Sequence, residues 1–166
     1  MKEESIHRLN NIFYSLKTEE EKIRDGLARK KSGEDLFLEN FRTLCKNFIE
    51  PKMQEFRRML KENRFGSKIS FFEETGTGKA IHAQTHIKLQ ISRNVESNFY
   101  ANDKFPHIMF VADKNLKRIG IHTDTIFQNG TGTAFLKPDF YTLETFDEET
   151  IETEIVDALE KILVNR

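Results

Sequence analysis

Apolar residues in the first thirty positions fall on one narrow line. Ile6, Leu9, Phe13, Leu16, Ile23 and Leu27 are separated by 3, 4, 3, 7 and 4 residues. Glu20 divides the gap of seven into 4 and 3. The result is a heptad stripe with one charged member, which predicts a helix over residues 2–31 with a coiled-coil face. The rest of that surface is charged, and an isolated helix so polar is marginal in water. It needs a partner, either its own domain or the same helix of a second chain. Gly26 weakens the helix by about 1 kcal/mol relative to Ala.

Ser32-Gly33-Glu34-Asp35 reads as a break and a capping signal, so a second helix is expected from residue 32. Its apolar positions form two sets, Phe37, Phe41, Leu44, Phe48 and Ile49, Met53, Phe56, Leu60. The phase changes near Pro51, where a kink or an end-to-end meeting of two helices is expected. Asn63-Arg64-Phe65-Gly66 supplies the stop, with Gly66 as the expected left-handed residue.

From Ser67 onward the period becomes two. Five strands are expected. The first holds Ile69 and Phe71. In the second, Ile81, Ala83, Thr85, Ile87, Leu89 and Ile91 face one way and His82, Gln84, His86, Lys88, Gln90 and Ser92 the other. The third is the apolar run His107–Ala112. The fourth runs from Leu116 to about Gln128, with Arg118, His122 and Asp124 on its polar side. The fifth runs from Thr133 to Leu143, pushed toward an edge or bulge by Pro138. A last helix should start at the capping box Thr145-Phe146-Asp147-Glu148, with Ile151, Ile155, Leu159 and Ile162 as its apolar stripe. Short connections favour neighbouring antiparallel strands. The expected class is therefore α+β: N-terminal helices with a candidate coiled coil, a five-stranded antiparallel meander, and a C-terminal helix packed on one sheet face. Residues 1–31 are an amphipathic segment and residues 32–166 a single α+β domain.

Composition narrows the function classes. The 166-residue chain is 37% hydrophobic and 32% charged, with 15 Phe, which excludes wholesale disorder. Its apolar runs are too short for a membrane span. Up to Gly66 there are 15 basic and 12 acidic residues, and after it 11 and 15. Neither part has the basic excess of a dedicated nucleic-acid binder. Met1-Lys2-Glu3-Glu4-Ser5 carries no apolar leader, and Cys45 is the single cysteine. A reducing, cytoplasmic setting is the simplest expectation, with no internal disulfide.

Few residues suggest chemistry. Thr75-Gly76-Thr77-Gly78-Lys79 resembles a phosphate loop but is followed by strand pattern rather than helix, and reads as a hairpin, as does Asn129-Gly130-Thr131-Gly132. His82 and His86 are four apart on one strand, about 13 Å, too far to share an ion. One of them with His122 and Asp124 is the remaining metal or acid–base arrangement. Lys88 and Arg118 on the same polar face could serve an anionic ligand or nucleic acid. Cys45 stands beside Leu44 and Phe48, where a thiol is usually inert. Basic clusters close the first two helices, where they suit the helix dipole or an anionic partner, and the acids of the last helix (Glu148, Glu149, Glu152, Glu154, Asp157, Glu160) offer an internal or inter-subunit counterpart or equally a solvated face.

No cofactor and no metal are expected, and enzymatic activity is disfavoured. The expected function is a non-enzymatic intracellular protein-binding or assembly module, self-associating through Ile6, Leu9, Phe13, Leu16, Ile23 and Leu27. The alternatives are a nucleic-acid or anionic-ligand module on the polar face, with His82, His86, Lys88, Arg118, His122 and Asp124, and a metal-dependent enzyme around His122 and Asp124.

Overall fold

A computed structural model describes residues 2–74, 81–99, 105–125 and 134–164. Both Gly-Thr-Gly segments lie outside the described residues, as do residues 100–104. The chain divides into two units, Met1–Leu36 and Phe37–Arg166, each described by itself.

The first unit is helical throughout. Helix α1 runs from Glu3 to Leu44 without interruption. The break and capping box expected at Ser32-Gly33 are therefore not used. A glycine inside a helix costs about 1 kcal/mol. Continuing the helix offsets this by carrying it to Phe37, Leu38 and Phe41, all buried in the second unit. Each such side chain contributes about 1.5–3 kcal/mol when buried.

In the second unit α1 passes into one π-helical turn, Cys45–Ile49, and then into α2, Glu50–Glu62. The backbone N–H of Glu50 donates to the carbonyl of Cys45, five residues back. Pro51 follows at the start of α2, where a missing N–H costs least. The π turn also resets the helix phase. It turns less per residue than an α-helix, so Phe41, Cys45, Ile49 and Met53, at steps of four, all stay buried. Phe48, expected inside, is 43% exposed, and Cys45 takes the inward place. Burial pushes the Cys45 thiol far above its ordinary range, and the nearby Glu50 carboxylate adds to this. The thiol should be inert to a water-soluble disulfide reagent in native protein and react in full after denaturation; reaction of the native protein at a free-thiol rate would contradict this packing.

The sheet is an antiparallel meander of four seven-residue strands, β1 (Gly66–Phe72), β2 (His86–Ser92), β3 (His107–Asp113) and β4 (Arg118–Asp124). A three-residue segment, β5 (Ala134–Leu136), pairs with the outer edge of β4. The fifth strand expected over Thr133–Leu143 is not formed at that length. Pro138 has no N–H to offer a ladder. The chain returns to β4 only at Tyr141, whose N–H and carbonyl both bond Ile119, at 3.0 and 2.7 Å. The second strand is also shorter than its pattern. Ile81–Ala83 forms a 3-10 turn, closed by Gln84 N–H on the Ile81 carbonyl at 3.3 Å. The fourth strand spans Arg118–Asp124, and residues 126–128 of its expected span lie outside the described residues.

One sheet face carries Ile87, Leu89, Ile108, Phe110, Ala112, Ile119 and Ile121 into the main core, against Phe41, Ile49 and Met53. Helix α3, Glu148–Leu163, packs on that core through Ile151, Ile155 and Ala158. Its N-cap is Asp147 rather than Thr145: the Asp147 side chain accepts from Thr150 N–H at 2.8 Å, and these bonds hold its carboxyl below the usual range. Thr145 instead closes a turn with Thr142. Glu154 departs from the expected solvated face. It is buried, and its carboxylate accepts from Tyr141 Oη at 2.7 Å and from Lys137 Nζ. A carboxylate tolerates such a site only when paired and hydrogen-bonded. The same contact raises the Lys137 ammonium and the Tyr141 phenol above their ordinary values. Among the described residues no helix is long and apolar enough to cross a membrane.

Candidate functional site

Two surfaces gather the residues singled out above. The first is α1 within Met1–Leu36. Ile6, Leu9, Phe13, Leu16, Ile23 and Leu27 all stand on this helix and are between 40% and 65% exposed. Ile12 and Tyr14 are exposed as well. The sequence stripe passed over both, because they fall beside the heptad line rather than on it. The polar side satisfies itself locally: Ser15 and Thr18 hydroxyls donate to the carbonyls of Asn11 and Tyr14, at 3.0 and 2.9 Å. Six large apolar side chains thus stand exposed in one line on a charged helix.

The second surface is the sheet face turned away from the main core. The register sets its rows. Ser70, Lys88, Met109, His122 and Leu136 lie side by side, and Lys68, Gln90, His107, Asp124 and Ala134 form the next row. On the other flank stand Phe72, His86, Val111 and Gly120. This face reads as polar in the sequence, and in the fold His86, His107, Met109, Val111 and His122 on it are buried. Phe72 stacks on His86 at 5.3 Å between ring centres, and the His86 Nδ1 bonds the Gln84 carbonyl at 2.8 Å. Arg118 is held at the rim by Asp113, at 3.1 Å, with its guanidinium 3.5 Å above the Phe140 ring. The backbone of His82 lies in the 3-10 turn, outside the sheet rows.

His122 and Asp124 stand two residues apart on β4, and a titratable group that the sequence pattern did not single out, His107, lies beside them. The His107 ring lies 5.4 Å from that of His122, and His107 pairs with Asp124 in the ladder. It was read as the opening of an apolar strand. Only the β3–β4 register shows that it shares the polar side. Its Nδ1 lies 3.1 Å from the Phe105 carbonyl and therefore carries the proton, leaving Nε2 as the acceptor nitrogen. Burial lowers its pKa to about 4; the Phe105 carbonyl and Asp124 oppose this, while Lys88 and His122 reinforce it. Lys88 is also pushed down, by burial and then by Lys68. At neutral pH the cluster therefore holds a neutral His107 imidazole. Among the described residues no three His, Cys, Asp or Glu side chains are grouped as a metal site requires.

Comparison with protein-family models, with curated proteins and with solved structures finds no match for this chain.

Proposed function

We propose that this chain is a non-enzymatic assembly module that self-associates through α1 and works in a reducing, cytoplasmic setting. The observation that carries the reading is the exposed apolar line Ile6–Leu27. In heptad terms Ile6, Phe13, Glu20 and Leu27 take one core position and Leu9, Leu16 and Ile23 the other. Charge then favours one alignment. A parallel, in-register pair sets Glu19 of one copy against Arg24 of the other, an attraction of about 0.2–1 kcal/mol for each exposed pair. An antiparallel pair instead brings Lys17 and Arg24, which share a flank, against their like-charged counterparts. Glu20 sits in the seam, and a charged residue there lowers stability while selecting register and copy number.

Sedimentation velocity on the full chain tests this. The native protein should sediment as a discrete oligomer at micromolar concentration. Leu9→Asp with Leu16→Asp should sediment as a monomer, with thermal unfolding of the sheet unit unchanged. A native protein that stays monomeric at 100-fold higher concentration would sink the proposal. So would an oligomer indifferent to both substitutions.

A further inference from the structure

α2 and α3 run side by side in the same direction: Lys52 bonds Glu152 at 3.3 Å near their starts, and Leu60 packs with Ile162 near their ends. Toward those ends the two helices leave an open cleft of about 560 Å³. Phe56, Leu60, Phe65 and Leu159 form its floor, and among the described residues the polar ones lining it are Asn63 and Glu160. On its rim Met59 is 58% exposed and Val156 45%. A second depression, of about 540 Å³, adjoins it and shares Val156. That depression holds Glu148, Glu149, Glu152 and Asp157 against one ammonium, Lys52. Lys52 is already engaged by Glu55 and Glu152, at 3.1 and 3.3 Å. The surface is therefore an apolar channel with an anionic end.

We infer that this channel is a docking site for an amphipathic helix of a partner protein whose apolar face is followed by a cluster of Lys or Arg. A helix laid along α2 and α3 seats side chains at i, i+3, i+4 and i+7 on the Phe56–Leu159 floor. Its basic end then lies over Glu148, Glu149 and Glu152. Apolar burial supplies the affinity. The carboxylates select orientation and disfavour acidic partners, because like charges brought together repel. This surface is built from other residues than the self-association line on α1, and the inference does not depend on that reading.

The test uses full-length, isotope-labelled protein and two synthetic helical peptides. Both carry Leu at i, i+3, i+4 and i+7; one continues with four Lys, the other with four Glu. The Lys peptide should shift backbone amides of α2 and α3 around the channel, and the Glu peptide should bind at least tenfold more weakly, roughly the discrimination expected of a few complementary charges. Met59→Glu with Val156→Glu should weaken the Lys peptide about tenfold or more. Both side chains are exposed, so the fold should survive, as a matching circular dichroism spectrum would show. Glu148→Gln with Glu149→Gln should weaken the Lys peptide several-fold, flatten its salt dependence, and leave a peptide ending in four Gln unaffected. Equal binding of the Lys and Glu peptides overturns the inference. So does amide shifting confined to the α1 line, or no binding of either peptide at millimolar concentration.

Discussion

Between pH 7.5 and pH 4.5 the protein should lose about 2–3 kcal/mol of stability through His107, and His107→Asn should remove most of that loss. The imidazole titrates near pH 4 in the folded chain, against about 6.5 when unfolded. Above pH 6.5 it is neutral in both states and adds no pH dependence. As pH falls from 6.5 toward 4, the unfolded chain takes up the proton first, so unfolding becomes easier. Below pH 4 both states are protonated and the difference levels off. Every charged group around the ring enters this balance. Burial, Lys88 and His122 oppose the imidazolium, while Asp124 and the Phe105 carbonyl favour it, and burial wins. Asparagine can keep the bond to Phe105 without a titrating ring. Urea unfolding at both pH values, for native protein and variant, reads the difference and cancels the common background of carboxylates. Equal pH slopes for the two proteins would refute the assignment.

The second large effect is a reversal at the exit of α2. Gly66→Ala should destabilise by about 2–3 kcal/mol, while Arg64→Gly should be neutral or stabilise by up to about 1 kcal/mol. The left-handed residue here is Arg64, with φ 66°, not Gly66. A non-glycine residue in that region is strained by about 1–2 kcal/mol, which glycine releases, though glycine also loosens the unfolded chain. Gly66 is needed for another reason. It opens β1 opposite Ser92, and a Cβ there would sit 2.4 Å from the Asn94 carbonyl oxygen and 3.3 Å from the Val95 Cα. Both obstacles are backbone and cannot rotate aside. Asn94 is also tied down, its N–H bonding the Ser92 hydroxyl at 3.2 Å and its carbonyl accepting from Ser97 N–H at 3.1 Å. In a chain of this size about 2–3 kcal/mol corresponds to a fall in Tm of very roughly 4–12 °C. A drop of that size in Arg64→Gly, with none in Gly66→Ala, would reverse the argument.

Local periodicity was the part of this fold most open to reading. The shift from a period of 3.6 to a period of 2 near Ser67 marks where helix gives way to sheet, and β1, β3 and α3 lie close to where alternation or the stripe put them. Ser32-Gly33 was misread because a capping signal describes what a segment can do alone. The burial of Phe37, Leu38 and Phe41 lies outside that window. The π turn was visible only as a change of phase, which Pro51 seemed sufficient to explain. For the second sheet face, alternation correctly separated His86, Lys88, His122 and Asp124 from the core side. It carried no information on whether that side was covered, nor that the β3–β4 register would bring His107 beside His122. The burial of Glu154 is illegible in the sequence for a similar reason. Its partners Lys137 and Tyr141 come from the far side of Pro138, where strand pattern had already failed. The apolar line of α1 is fully legible in sequence, since it depends on spacing alone.

The strand order β1-β2-β3-β4-β5 is also the order of synthesis. As the chain leaves a ribosome, each new strand finds its neighbour already made, and no crossover must wait for a distant segment. The helix that covers Phe110 and Ile119 behaves differently. Ile151 and Ile155 follow every strand, so a nearly complete sheet spends part of its synthesis with apolar side chains uncovered. At a translation rate of roughly 5–20 residues per second, that interval lasts on the order of seconds. It is the stage at which a nascent copy is most open to chaperones, and to the wrong neighbour on the same messenger.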